Sequence, residues 1–300
     1  MKDRLKDRRL IIKLQRLVKS ELSGVYRSVY KGEGIEYDRI REYQPWDDFK
    51  FIEWNSSSRY GRLFVKEYVE ERNIPIIIAV DISGSIFTKL QGKPKIEISA
   101  ELTAIISAIG SENNDLISLI LFSEEIEFYS PPENNKNIVM KNYYKLINLQ
   151  TRREENSLRE RELLDRRTNY ETLLLFLENN IKKRSLIFII SDFLPFEMDG
   201  RVFNLDKKNE VFLLLIRDPV EENPPQKGIF KFKSPETNLK NKVDFKNNRV
   251  FYQYKNSYIV KLRRFTKSVK SRGINLVEIL TTADPYIELL KFFKSKAKKK

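Results

Sequence analysis

The chain has 300 residues, 41% of them hydrophobic, and a chain of this length buries roughly three-quarters of its unfolded surface without disulfide or metal staples. It contains no cysteine and no histidine, which excludes disulfides, thiolate nucleophiles, cysteine zinc sites, imidazole ligands and the Ser-His-Asp triad. The formal charge of +14, from 56 basic and 42 acidic residues, gathers in the first 16 residues and in Lys291–Lys300, and no recognisable nucleic-acid module accompanies it.

Residues 5–22 read as an amphipathic helix, with Leu10, Ile11, Leu14, Leu17 and Val18 at three- and four-residue spacing. This opening has neither the continuous apolar segment nor the cleavage site of a signal peptide, and nowhere do about 18 apolar residues run together. A cytoplasmic protein is expected, with the basic ends either solvated or touching acidic lipid at the inner face of the membrane.

From Gly24 to Asn73 the pattern becomes that of a small β-rich region, punctuated by Gly32 and Gly34, with Ile35, Tyr37 and Ile40 near alternation and a turn at Pro45-Trp46-Asp47-Asp48. Trp46 and Trp54 read as the core of this region, a recognition groove being the other reading. Asp47 and Asp48 read as turn caps in preference to a second cation site.

Four short, apolar, β-branched runs follow: Ile74–Val80, Leu116–Phe122, Leu186–Ile190 and Val211–Ile216. Such runs fit strands buried on both faces of a parallel sheet. Helical stretches separate them at about 95–110, 136–149 and 170–182, and strand alternating with helix predicts a doubly wound, mostly parallel α/β sheet. Residues 151–167 are densely charged and read as an exposed helix or loop, in which Arg166 and Arg167 either steer an acidic partner or are simply solvated. Pro224 to Asn248 interrupts the pattern, with Val243 and Phe245 as strand candidates, before a helix at 256–271, a strand at Ile274–Leu280 and a helix from Pro285. The predicted organisation is a basic helix (1–22), a small β-rich region (23–73), the α/β domain (74–295) and a basic tail (296–300).

Ligands of open parallel sheets bind beyond the carboxyl ends of the strands. Two of the apolar runs end there in an acid, Asp81 and Asp192, and Asp218 follows a third more loosely. Taken singly, each also reads as a cap for the helix that follows. Asp81-Ile-Ser83-Gly-Ser85, however, sets three oxygen-bearing side chains at alternate positions in one tight turn. Without histidine or cysteine any metal must be held by oxygen, which selects Mg²⁺, Mn²⁺ or Ca²⁺. Two hydroxyls carry too little charge for such an ion, and Asp192 is the second carboxylate that the site needs.

Asp81-x-Ser83-x-Ser85 resembles the D-x-S-x-S opening of the metal-ion-dependent adhesion site of von Willebrand factor A domains. The resemblance implies a later-loop threonine, Thr168 with Thr172 close by, and a later-strand aspartate, Asp192. By that analogy the two serines and Thr168 touch the metal, and Asp81 and Asp192 act directly or through water. The segment Gly32 to Trp54, with Ser57–Gly61 and Val65–Arg72, is similar to the signature of the bacterial family called domain of unknown function 58, and the likeness covers roughly residues 22–290. Trp46 stands where that family usually has glycine, Glu53 where it has aspartate, and Ile86 where methionine is common.

The resemblance implies a non-enzymatic adaptor or co-chaperone, with a MoxR-type AAA+ ATPase as partner and a partner's Asp or Glu completing the metal. Two alternatives stand beside it: a basic surface for nucleic acid or membrane, and aspartate-based phosphoryl transfer. The second is disfavoured because Ser83 occupies the position where haloacid-dehalogenase-like phosphatases carry their second aspartate. Receiver-like domains want a lysine at a late strand end, where this chain has Arg217.

Overall fold

The computed structural model describes residues 2–30, 36–69, 73–135, 137–155, 167–194, 196, 199–225, 229–233, 240–244 and 246–298. The first helix, α1 (Lys2–Leu17), passes through a single π-helical stretch, Val18–Leu22, into α2 (Ser23–Tyr30). Helical structure therefore runs eight residues beyond the predicted limit. The apolar stripe explains it: Leu22, Tyr26 and Val29 continue the spacing set by Ile11, Leu14 and Val18, and all six are buried. The exposed face carries Arg8, Arg9, Lys13 and Arg16. Tyr26 fixes the docking by donating a 2.9 Å hydrogen bond to Asp115, and Tyr286 donates to the carbonyl of Leu17.

A two-stranded antiparallel ribbon follows, β1 (Glu36–Glu42) with β2 (Phe64–Val69), and α3 (Trp54–Tyr60) lies between them in sequence. Glu53 caps α3, and Gly61 ends it at φ +65°, a conformation that costs glycine nothing. Asp47 takes both arms of the Arg41 guanidinium at 2.7 Å, and Asp48 caps the turn Phe49–Phe51, so both acids serve the turn. Trp46 and Trp54 are 80% and 67% exposed, which corrects their reading as core residues. The buried hydrophobic positions described in this region belong instead to Ile52 and Val65.

The α/β unit contains β3 (Pro75–Asp81), α4 (Lys95–Glu112), β4 (Leu116–Phe122), β5 (Ile126–Glu133), α5 (Ile138–Glu155), α6 (Tyr170–Asn180), β6 (Leu186–Ser191), α7 (Arg201–Lys208) and β7 (Glu210–Arg217). The short α8 (Pro219–Glu222), the ribbon of β8 (Ile229–Lys233) and β9 (Lys240–Asp244), α9 (Asn248–Ser271), β10 (Asn275–Leu280) and α10 (Pro285–Ala297) complete it. The sheet order is β10-β7-β6-β3-β4-β5, parallel throughout except for β5, which pairs antiparallel with β4. This is the doubly wound von Willebrand factor A-like architecture, preceded by a helix and a small β region.

Each parallel strand buries alternate residues against two different helical layers. Ile76, Ile78 and Val80 face α4, α5, α10 and the N-terminal helix, while Ile77 and Ala79 face α6, α7 and α9. Helix α4 is buried over nearly its whole length because helices cover it on the side away from the sheet. Strand β5 was not foreseen: its burial is intermittent, and Pro131 and Pro132 read as breakers, which an edge strand tolerates. Gly32, Gly34, Ile35, Glu70–Arg72, Arg166 and Phe245, together with most of the charged stretch 151–167, lie outside the described residues.

Candidate metal centre

The strand order reverses between β3 and β6, since the chain winds from β3 toward β4 and β5 on one side and from β6 toward β7 and β10 on the other. The crevice at such a switch point opens at the carboxyl ends of the two strands. Asp81 is the last residue of β3 and Ser191 the last of β6. The parallel register pairs Val80 with Ile190, which sets Asp81 and Ser191 side by side, and Ser191 Oγ donates a 2.6 Å hydrogen bond to Asp81 Oδ2.

The loop after β3 folds back at once. The amide of Ser83 donates to Asp81 Oδ1 at 2.8 Å, the segment Gly84–Phe87 forms a 3₁₀ turn, and the hydroxyls of Ser83 and Ser85 come to 3.2 Å. Thr168 arrives from the loop before α6, held by the amide of Asn169 on the carbonyl of Ser123 at the end of β4. Its hydroxyl donates to Asp81 Oδ2 at 3.0 Å. Thr172 sits instead in the first turn of α6, where its amide is capped by Asn169.

Asp192 follows β6 directly and is buried, as is Asp81. Its Oδ1 accepts from the amide of Leu194 at 3.3 Å, and its Oδ2 accepts from Lys95 Nζ at 2.8 Å. Lys95 is only 1% exposed and also pairs with Glu221. After Asp192 the chain turns through Phe193 at φ +51°, a left-handed conformation that strains a bulky side chain. The turn is held in place by packing: the Phe193 ring stacks on Tyr170 at 5.6 Å, the Phe193 amide donates to Ser191 Oγ, and Tyr170 hydrogen-bonds the same oxygen at 2.8 Å.

The structure thus gathers Asp81, Ser83, Ser85, Thr168 and Asp192 at one end of the sheet. Sequence reasoning missed Ser191, Lys95, Glu221 and Tyr170. Ser191 stands inside the Ile190-Ser191-Asp192 step, where the spacing of Asp192 behind the strand took precedence. Lys95 opens a helix after Pro94 and has the look of a solvated first-turn residue. Glu221 was legible, because Asp218 and Glu221 form a reciprocal capping box at α8. Asp218 itself is a cap and anchor: it accepts from the amides of Val220, Gln91 and Gly92 and from the hydroxyl of Thr281.

Burial, together with the like charge of Asp192, pushes the Asp81 carboxyl up to about 6, although hydrogen bonds from Ser191 and Ser83 pull the other way. Burial opposes the charge on Lys95, but Asp192 and Glu221 outweigh it and hold the ammonium protonated beyond its ordinary range. Burial raises Glu221, and Lys95 offsets part of that rise.

Among the described residues there is no group of three or more acids suited to a metal, so an ion here must rely on hydroxyls. The donor set fits one. The Ser83 and Ser85 oxygens are 3.2 Å apart, close to the ~3 Å edge of an octahedron with Mg–O bonds of about 2.1 Å. Asp81 is a buried carboxylate whose donors among the described residues, the Ser83 amide and the Thr168 and Ser191 hydroxyls, are all neutral. A cation at the hydroxyls would supply the counter-charge it lacks.

The family described as "Protein of unknown function DUF58" matches residues 39–263, well over half of the chain. The chain belongs to the DUF58 family. The DUF58 match includes Asp81, Ser83, Ser85, Thr168 and Asp192, and Lys95 and Glu221 as well. Comparison with curated proteins finds no match.

Proposed function

We propose that this DUF58 protein is a non-enzymatic, metal-dependent protein-interaction module, holding Mg²⁺ (or Mn²⁺ or Ca²⁺) through Ser83, Ser85, Thr168, Asp81 and Asp192. The observation that carries the reading is Asp81: a fully buried carboxylate at the switch point, served among the described residues only by neutral donors and adjoining two paired serine hydroxyls. A bound divalent ion would supply a Lewis-acidic position for a carboxylate from a partner. Ser83, Ser85 and Thr168 orient that position, and Asp81 and Asp192 supply the charge that hydroxyls lack. The site offers poor equipment for catalysis. Lys95 is locked as an ammonium between two carboxylates and cannot take a proton, and no histidine exists to activate water.

The resemblance read in the sequence nominates a MoxR-type AAA+ ATPase as partner and an adaptor or co-chaperone role in assembling other complexes. The test is association of the purified chain with such an ATPase in Mg²⁺ and in EDTA, wild type beside Asp81→Asn. Binding that is lost in both EDTA and the variant supports the reading. Binding insensitive to both, but falling steeply with salt, would transfer the function to the basic face of α1.

A further inference from the structure

We propose that Lys95 is a tethered counter-cation that competes with the divalent ion for Asp192, and that Glu221 sets how strongly it competes. The inference rests on the metal reading of the site and concerns residues which that reading does not use.

Lys95 is the first residue of α4, and it is almost fully enclosed. Its ammonium lies 2.8 Å from Asp192 Oδ2 and bonds Glu221 on its other side. The other oxygen of Asp192 is occupied by the amide of Leu194. An ion that draws on Asp192 Oδ2 must therefore share that oxygen with Lys95 or displace it. Asp81, in contrast, has only neutral donors among the described residues.

Glu221 is well placed to hold the ammonium when Asp192 leaves it. Its second oxygen accepts from the amide of Asp218 at 3.2 Å, and its carbonyl accepts from Tyr254 at 3.1 Å. Asp218 is in turn fixed to the loop just before Lys95, through the amides of Gln91 and Gly92, and to Thr281. Lysine and glutamate are thus tied through Asp218 to the same short segment of chain.

Charge balance points the same way. Three carboxylates, Asp81, Asp192 and Glu221, against one ammonium leave a deficit that a single divalent cation neutralises. Removing the ammonium frees Asp192 and deepens the deficit; removing Glu221 leaves the ammonium to Asp192 alone.

The test is Mg²⁺ and Mn²⁺ affinity by titration calorimetry, together with the Mg²⁺-induced rise in Tm, for wild type, Lys95→Met, Glu221→Gln and the double variant. Lys95→Met is expected to tighten binding by about tenfold or more, and Glu221→Gln to weaken it several-fold. The double variant keeps the charge count of the wild type, and its uncharged residue 95 and 221 side chains spare it an uncompensated Glu221. It is still expected to bind more tightly, because Asp192 is free. Binding in a lysine-free variant when the wild type is silent would also support the proposal. A wild type that binds, with neither lysine-free variant binding more tightly, would overturn it while leaving the metal site standing. Silence in all four folded proteins would remove the metal reading and this inference together.

Discussion

Ser191 at the end of β6 donates a 2.6 Å hydrogen bond to Asp81 at the end of β3, across the seam where the sheet reverses its winding. One oxygen of Ser191 therefore links three groups: it donates to Asp81, accepts from the amide of Phe193, and meets the hydroxyl of Tyr170. Ser191→Ala is expected to cost about 1–3 kcal/mol, because it strands buried polar groups, whereas Tyr170→Phe, which removes one hydroxyl from a rim residue, costs about 1 kcal/mol or less. Urea unfolding of the two variants measures the order. Equal losses would mean that Ser191 is not the hub.

Asp81 gives a pH dependence with a definite sign. Its folded pKa lies above its ordinary value, so the folded, metal-free protein holds a proton that the unfolded chain releases. Stability from this group therefore falls as pH rises from about 4 through about 6 and stays low above that. Asp81→Asn, which keeps the shape and cannot ionise, is expected to be more stable than wild type at pH 8 without metal, by something on the order of 2 kcal/mol. Near pH 4 the difference disappears. Thermal melts in EDTA at the two pH values decide it; a variant less stable than wild type at pH 8 would show that the charged carboxylate is favourable as it stands.

Gly92 is required by a close approach. A Cβ there would overlap the backbone carbonyl of Thr281 and its hydroxyl, in the loop that Asp218 holds against the start of α4. Gly92→Ala is expected to destabilise by about 1–3 kcal/mol, because backbone must shift to admit the methyl group. Gly24→Ala, whose Cβ meets nothing within 4 Å, is expected to be neutral or slightly stabilising. Chemical denaturation of both variants distinguishes a packing constraint from a general intolerance of alanine.

The chain has two tryptophans, and both are exposed. Native fluorescence should be quenched by acrylamide nearly as efficiently as in urea, and Trp46→Ser and Trp54→Ser should each shift stability by less than about 0.5 kcal/mol. Strong protection of either ring in the purified protein would return it to the core role that composition suggested.

The physical origin of these differences shows what a sequence displays. The central strands were legible because burial on both faces forces continuous β-branched runs such as Ile76–Val80, and few other structures need them. Asp81, Ser83 and Ser85 were legible because local spacing places them in one turn. Lys95 was not, since its pairing with Asp192 joins residues 97 apart and depends on the register of β6 against β3. The same holds for Thr168, which the family resemblance could nominate but only the loop's anchor on Ser123 brings to Asp81. The tryptophans misled because large aromatics signal burial on average, whereas here Ile52 and Val65 take the buried positions.

The central claim is that Asp81 and its neighbouring hydroxyls hold a divalent ion. Isothermal titration of the purified chain with Mg²⁺ and Mn²⁺ at pH 7.5 or so, above the range in which Asp81 takes up its proton, tests it most directly, with Asp81→Asn alongside. The account predicts saturable one-to-one binding by wild type, its loss in Asp81→Asn, and an intact fold in both. Wild type and Lys95→Met that are both folded and bind neither ion, or an Asp81→Asn variant that binds as tightly as wild type, would contradict it.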